Sequence, residues 1–204
     1  MRLIVVAALM SLWSSASAET VSGNPAWSCL NRYVVALARR AEVVMAVQGY
    51  NNAPQDIHGL DARWATLPDT VADVARVLTH PLVAELERTI SAVSYQGEGL
   101  LMGRDGGLVA ATNKTTDFWQ GDETQFTRAI VLEQGQVHVE GDTTDQSTHS
   151  MLVKISTPVV DPVSRQAIGV LMLGFDQFVV DFAETCAPNK HMSDVPAAPG
   201  TTTP

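Results

Sequence analysis

Charge is scarce in this sequence. Asp, Glu, Lys and Arg make up 17% of 204 residues, against 46% hydrophobic residues. That balance excludes a chain kept open by self-repulsion and places it among globular proteins. One domain of this length, with or without tails, can bury a real core. Basic residues are scarcer than acidic ones: 13 Lys and Arg stand against 22 Asp and Glu, a formal charge of −9. Neither nucleic acid nor an anionic membrane surface suits such a chain as a partner. After the first eighteen residues no run is apolar enough to read as a membrane span, which takes about 20 residues. Catalytic fingerprints are missing as well. There is no G-x-S-x-G, Walker, Rossmann or HExxH pattern. The five histidines, at 58, 80, 138, 149 and 191, are scattered. Neither a metal site nor a cofactor is expected.

The first eighteen residues read as a secretory signal. Arg2 supplies the positive end, residues 3–12 form a short apolar core, and Ala16-Ser17-Ala18 is an A-x-A cleavage site. Removing them takes one basic residue and no acid. The mature charge is then 12 − 22 = −10. A periplasmic or secreted location follows from this reading. Cysteine occurs only twice, at Cys29 and Cys186. In an oxidising compartment an even pair points to a disulfide, and the spacing fits no metal motif. The bridge would close a loop of over 150 residues, with a chain-entropy effect of about 5 kcal/mol at most. The last residues, 187–204, are rich in Pro and Thr with little that is apolar, and read as a disordered tail.

Between these ends the chain sorts into helices, then strands. Pro25 opens a helical pattern with apolar residues at Leu30, Val34, Leu37, Ala38, Ala41, Val44, Met45 and Val47. Steps of three and four define one face of a single helix of about six turns. A short helix over 56–64 follows. Asp69 can cap a helix reaching Leu78, and Pro81 opens another through Leu82, Leu86 and Ile90. Leu100-Leu101-Met102 and residues 108–111 then flank Asp105-Gly106-Gly107, a strong hairpin signal. One or two helical turns are expected over 121–129. Residues 131–132 and 136–140 read as short strands, and 141–149 as an acidic loop without calcium-loop spacing. The longest strand pair is expected over 150–160 and 166–176, antiparallel and central in the sheet. Alternation puts Met151, Val153, Ile155, Leu171, Leu173 and Phe175 on one apolar face. Leu152, Lys154, Ser156, Val170, Met172, Gly174 and Asp176 share a second, mixed face. A last short helix is expected over 177–184. The fold class is α+β.

Two stretches carry a resemblance. TNKTTDFWQGDE, at 112–123, and KISTPVVDPVSRQAIGVLMLGFD, at 154–176, resemble the extracytoplasmic PDC/Cache sensor-domain family. The resemblance spans roughly residues 25–184. It implies a PAS-like fold, in which a long N-terminal helix packs on an antiparallel sheet of about five strands. It makes 19–186 a single Cache-like domain. It also implies a small-molecule site between the mixed sheet face and the loops beside it. Trp119, Gly121, Asp122 and Glu123 match an aromatic-Trp-x-Gly-Asp-Glu run of that family. The Tyr, Arg and Trp set of its double-module amino-acid receptors is not found, so no amino-acid specificity is implied.

The candidate ligand-binding residues are Asp117, Trp119, Gln120, Asp122, Lys154, Ser156 and Asp176. A lone ammonium on a sheet face needs a carboxylate or a bound anion. Lys154 therefore belongs either to a structural pair or solvated edge, or to a site where it holds an anionic group and Asp176 or Asp117 a cationic one. Trp119 is either a core anchor or a wall with polar neighbours. Asp122 either caps the next helix or meets ligand.

Three functions remain in play. The first is a secreted sensor-type domain that binds a small ligand. Lacking a membrane helix and an output module of its own, it would act through a membrane-bound signalling partner or sequester its ligand. The second is a structural or interaction module on the same scaffold, without ligand, with the N-terminal helix as a homodimer face. An enzyme is not expected: Asp117, Asp122 and Glu123 could serve as acid and base, but no nucleophile or metal stands with them.

Overall fold

The computed structural model describes residues 25–53, 56–144 and 151–177. The expected signal segment, the C-terminal tail, Cys186 and most of the expected last helix lie outside the described residues.

The expected single N-terminal helix is two helices. Helix α1, Pro25–Ala38, buries Leu30, Val34, Leu37 and Ala38. Helix α2, Ala41–Asn51, buries Val43, Val44, Val47 and Tyr50. Between them Arg40 is extended (φ −65°, ψ 141°). No Pro or Gly marks this break. Arg40 instead reaches across to Glu85, with Nη1 to Oε1 at 2.7 Å. The break re-aims the second half, so Met45, which the periodicity turns inward, is 59% exposed and Val43 is buried.

Three short helices follow. Helix α3, Ile57–Trp64, is capped by Asp56, whose carboxylate accepts the Gly59 N–H at 3.1 Å. Helix α4, Ala72–Leu78, has Val71 at its N-cap and no side-chain cap, so Asp69 does not play the role expected of it. Helix α5 spans Val83–Ser91. The strands are β1, Gly97–Gly103, and β2, Leu108–Ala111, then β3, His138–Thr144, β4, Met151–Val160, and β5, Ala167–Asp176. Helix α6, Thr124–Thr127, lies between β2 and β3. The expected strand at 131–132 is a turn, and β3 runs to Thr144 into what reads as loop.

The five strands form one antiparallel sheet in the order β2-β1-β5-β4-β3. This is the α+β layout that the resemblance implies. The β1–β2 turn needs the left-handed region at Gly106 (φ +86°), which glycine enters without strain. The expected β4–β5 pair is present, with β5 central and β4 beside it.

Both faces of the sheet are covered. Val153, Ile155, Leu171, Leu173 and Phe175 share the face on which α1, α2 and α5 lie, as the alternation expects. Close approach there depends on missing side chains. Gly103 and Gly169 are opposite one another in β1 and β5. A Cβ on Gly103 would sit 2.3 Å from the Tyr50 ring, and one on Gly169 2.2 Å from the Met102 carbonyl. On the other face α6 meets β3 and β4, with Gln125 reaching Lys154; Phe118, Phe126 and Ala129 of the 115–130 segment are buried.

Candidate functional site

The 115–130 segment is fastened at Thr115 and again at Trp119. At its start, Trp64 of α3 is fully buried, and its Nε1–H donates to the Thr115 carbonyl at 2.9 Å. The Trp64 ring packs on Phe118, centroids 5.2 Å apart, and the Lys114 ammonium lies over the same indole and donates to the Leu67 carbonyl. Next, Trp119 pairs with Gly107 in a single antiparallel bridge. Its main-chain N–H donates to Asp61 at 2.8 Å and its indole Nε1–H to the Asp105 carbonyl at 2.7 Å. The His58 ring meets it edge-on at 5.9 Å. Trp119 is therefore a clasp between α3 and the tip of the β1–β2 hairpin. Close by, burial, aided by the Asp105 carboxylate, pushes the Tyr50 hydroxyl above the usual phenol range.

From this clasp a hydrogen-bonded relay runs to the mixed face. The Gln120 N–H donates to the Gly106 carbonyl at 2.9 Å, and Gln120 Nε2 to the Asp117 carbonyl at 2.9 Å. Gln125 on α6 donates Nε2–H to Gln120 Oε1 at 3.2 Å. Gln125 Oε1 in turn accepts from Lys154 Nζ at 3.2 Å. Gln120 and Gln125 are both buried.

Strand register defines the floor beneath α6. One cross-strand row reads Glu140, Lys154, Gly174, Glu98 from β3 to β1. The next reads His138, Ser156, Met172, Leu100. Among the described residues no carboxylate forms an ion pair with Lys154. The pairing with Asp176 considered from sequence is not made. Asp176 lies opposite Leu152, half-buried, and its main-chain N–H faces Ser94 Oγ at 3.4 Å. Ser156 is 0% exposed, and its Oγ has no hydrogen-bond partner among the described residues. Nor does the buried Nε2 of His138, directly opposite it. Burial pushes the His138 ionisation below the ordinary 6.5; Glu140 opposes this and Arg128 adds to it.

The fold thus brings Gln120, Lys154 and Ser156 together on one side of the sheet. Asp117 and Asp122 are exposed. The Asp117 carboxylate accepts from the Thr116 hydroxyl at 3.1 Å. The N-cap of α6 is Glu123, so Asp122 does not cap it. Two residues of the site were not singled out from sequence, Gln125 and His138. Gln125 sits in a segment too short for periodicity to give it a face. His138 was read as one of five scattered histidines, although its strand was expected. Among the described residues no group of His, Cys, Asp and Glu could hold a metal ion, and no helix is long and apolar enough to cross a membrane.

No protein-family model matches the chain, and no curated protein sequence does. Solved structures of sensory domains do. The chain is similar to the ligand-binding domain of the Campylobacter jejuni chemoreceptor Tlp3 in complex with L-valine. Identity is 14% and the TM-score 0.40, over 78% of this chain and 66% of that one. It is also similar to the ligand-binding domain of the Pseudomonas aeruginosa PAO1 amino acid chemoreceptor PctC in complex with GABA, at 14% identity and a TM-score of 0.37. That match covers 76% of this chain and 64% of that one. A third is the ligand-binding domain of Pseudomonas fluorescens chemoreceptor CtaA in complex with L-serine, at 15% identity and a TM-score of 0.36, covering 74% and 60%. The chain spans between 60% and 66% of the length of these three domains.

Proposed function

We propose that this chain is a sensor-type domain that binds a small molecule between the mixed face of the sheet and the 115–130 segment, and that it acts in signalling through a partner protein. The observation that carries the reading is Lys154. It is half-buried on a covered sheet face, gives one hydrogen bond to Gln125, and has no carboxylate partner among the described residues. A half-buried cation that makes no ion pair carries a desolvation cost, and a bound anionic group reduces it. Gln120, Gln125 and Ser156 add oriented polar groups to a floor that joins the apolar Leu100, Met102 and Met172 to Glu140 and Glu98 of the Lys154 row, the mixture of apolar wall and a few polar groups expected of a small-molecule site.

The compartment belongs to the same proposal. A leader cleaved after Ala18 would deliver the domain to the periplasm or outside the cell, where Cys29, buried on α1, can pair with Cys186. The intact mass of the secreted protein tests both points, through its starting residue and through two missing hydrogens.

One observation favours the alternative, a module that binds protein and no ligand. Leu100, Met102 and Met172 are at most 1% exposed, as in a filled interior. Native mass spectrometry of the mature protein from its own compartment separates the two. A defined small mass released on denaturation, and lost with Lys154→Met, supports the ligand site. Protein free of any small molecule, with no melting shift across a metabolite panel, supports the interaction module.

A further inference from the structure

Two parts of the chain that share no hydrogen bond or ion pair among the described residues, α2 and residues 118–121, both grip the tip of the β1–β2 hairpin. From α2, the Tyr50 ring lies against Gly103 and its hydroxyl against Gly107, where added Cβ atoms would come within 2.3 Å and 1.9 Å of them. Asn51 holds the same turn. Its Oδ1 accepts the Arg104 N–H at 3.0 Å, and its Nδ2–H donates to the Ile168 carbonyl at 2.7 Å. From the second part, Trp119 Nε1–H and the Gln120 N–H donate to the Asp105 and Gly106 carbonyls. A Cβ on Gly106 would sit 2.4 Å from Gly121 Cα, so backbone meets backbone there. A Cβ on Gly107 would touch the Phe118 ring at 3.1 Å as well as Tyr50. The tip itself is stiff. The Gly103 N–H donates to the Gly107 carbonyl at 2.9 Å, the Gly106 N–H to the Gly103 carbonyl at 3.1 Å, and the Gly107 N–H to the Asp105 carboxylate at 3.0 Å.

We propose that residues 103–107 couple α6 to α2: a shift of Gln125 is passed through Gln120 and the hairpin tip to the last turn of α2. The α6 end of this chain of contacts is its loosest part. Gln125 is held at 3.2 Å to Gln120 and at 3.2 Å to Lys154, against 2.7 Å and 2.9 Å for the bonds from Trp119 and Gln120 to the tip. Whatever moves Gln125 therefore draws on Gln120, and through it on Gly106. Between Gly106 and α2 the contacts are close-packed and the turn is internally bonded, so strain is transmitted rather than absorbed. The coupler is a property of the ligand-free fold and does not stand or fall with the ligand site.

Hydrogen exchange of the mature protein without added ligand, read by mass spectrometry, tests this, because it reports local opening segment by segment. Gln125→Ala removes the middle of the relay. Exchange is expected to quicken about fivefold, one hydrogen bond's worth, in 103–107 and also in 48–53. Helix α5, which among the described residues bonds to neither the tip nor the last turn of α2, is expected to keep the parent rate. Asn51→Ala cuts the α2 side of the coupler. In that background Gln125→Ala still quickens 103–107, and its effect on 48–53 shrinks. Quickening confined to 103–107, quickening of α5 to the same degree, no change anywhere, or a 48–53 response undiminished by Asn51→Ala overturns the coupler. If circular dichroism shows Gln125→Ala unfolded, Trp119→Phe, which drops the bond to the Asp105 carbonyl, carries the test with the same outcomes. Native mass spectrometry decides the ligand site separately.

Discussion

His138 and Ser156 face each other across β3 and β4, and neither buried polar atom has a hydrogen-bond partner among the described residues. Folded cores almost always satisfy such groups. The pair therefore has a measurable consequence for stability apart from any ligand. Ser156→Ala removes a buried hydroxyl that bonds to nothing and leaves little space behind. Urea unfolding of the ligand-free protein is expected to show the variant unchanged or up to about 1 kcal/mol more stable. A loss of 1 kcal/mol or more would mean that Oγ has a partner in solution.

His138 also sets a pH dependence. Burial, the largest influence, lowers its folded pKa from the ordinary 6.5; Glu140 raises it and Arg128 lowers it. His80 is shifted in the same direction by burial and by Arg76. As pH falls below about 6.5 the unfolded chain takes up protons that the folded chain does not, so stability declines until the lower folded pKa is passed. His138→Leu is expected to flatten this decline between pH 7.5 and 5.5, and His138→Leu with His80→Gln to flatten it further. Urea midpoints across that range provide the check.

Trp119 separates clasp from ligand contact. Its indole N–H is already bonded to the Asp105 carbonyl. Trp119→Phe keeps the ring and loses that bond, for about 1 kcal/mol. Trp119→Ala also loses the contacts with His58 and Gly121 and is expected to cost about 2–3 kcal/mol. Ligand affinity in Trp119→Phe should match the parent protein. A selective loss of affinity with stability intact would make the ring part of the site.

Gly169 reports how closely the helices sit on the sheet. A Cβ there would meet the Met102 carbonyl at 2.2 Å and Val47 at 2.8 Å. The first neighbour is backbone, so β1 and β5 would have to move apart. Gly169→Ala is expected to destabilise by about 3 kcal/mol or to prevent folding. Gly49→Ala on α2, where a Cβ meets nothing, serves as the control and should stabilise by up to about 1 kcal/mol.

Much of the architecture was legible along the chain because it depends on local rules. Alternation in 150–160 and 166–176 sorted the two sheet faces, since a strand's side chains have a period of two, although Met151, expected on the apolar face, is 50% exposed. The Asp105-Gly106-Gly107 turn announced its hairpin through the one backbone region that glycine enters freely. Lys154 and Ser156 stood out as polar groups on a largely apolar strand pair and Gln120 as a polar neighbour of Trp119, and the fold does gather them. What local rules could not supply was pairing between distant segments. The break at Arg40 has no sequence signal, because its partner Glu85 lies 45 positions away. Asp117 and Asp122 sit beside Trp119 in sequence, yet the segment's path turns both to solvent. Gln125 and His138 enter the site through α6 docking and β3–β4 register, two long-range choices. Local pattern thus fixed most elements, the faces of the two long strands and the polar groups set among apolar ones. Which of those residues meet was settled by long-range packing, because burial and register are properties of neighbours brought together by folding.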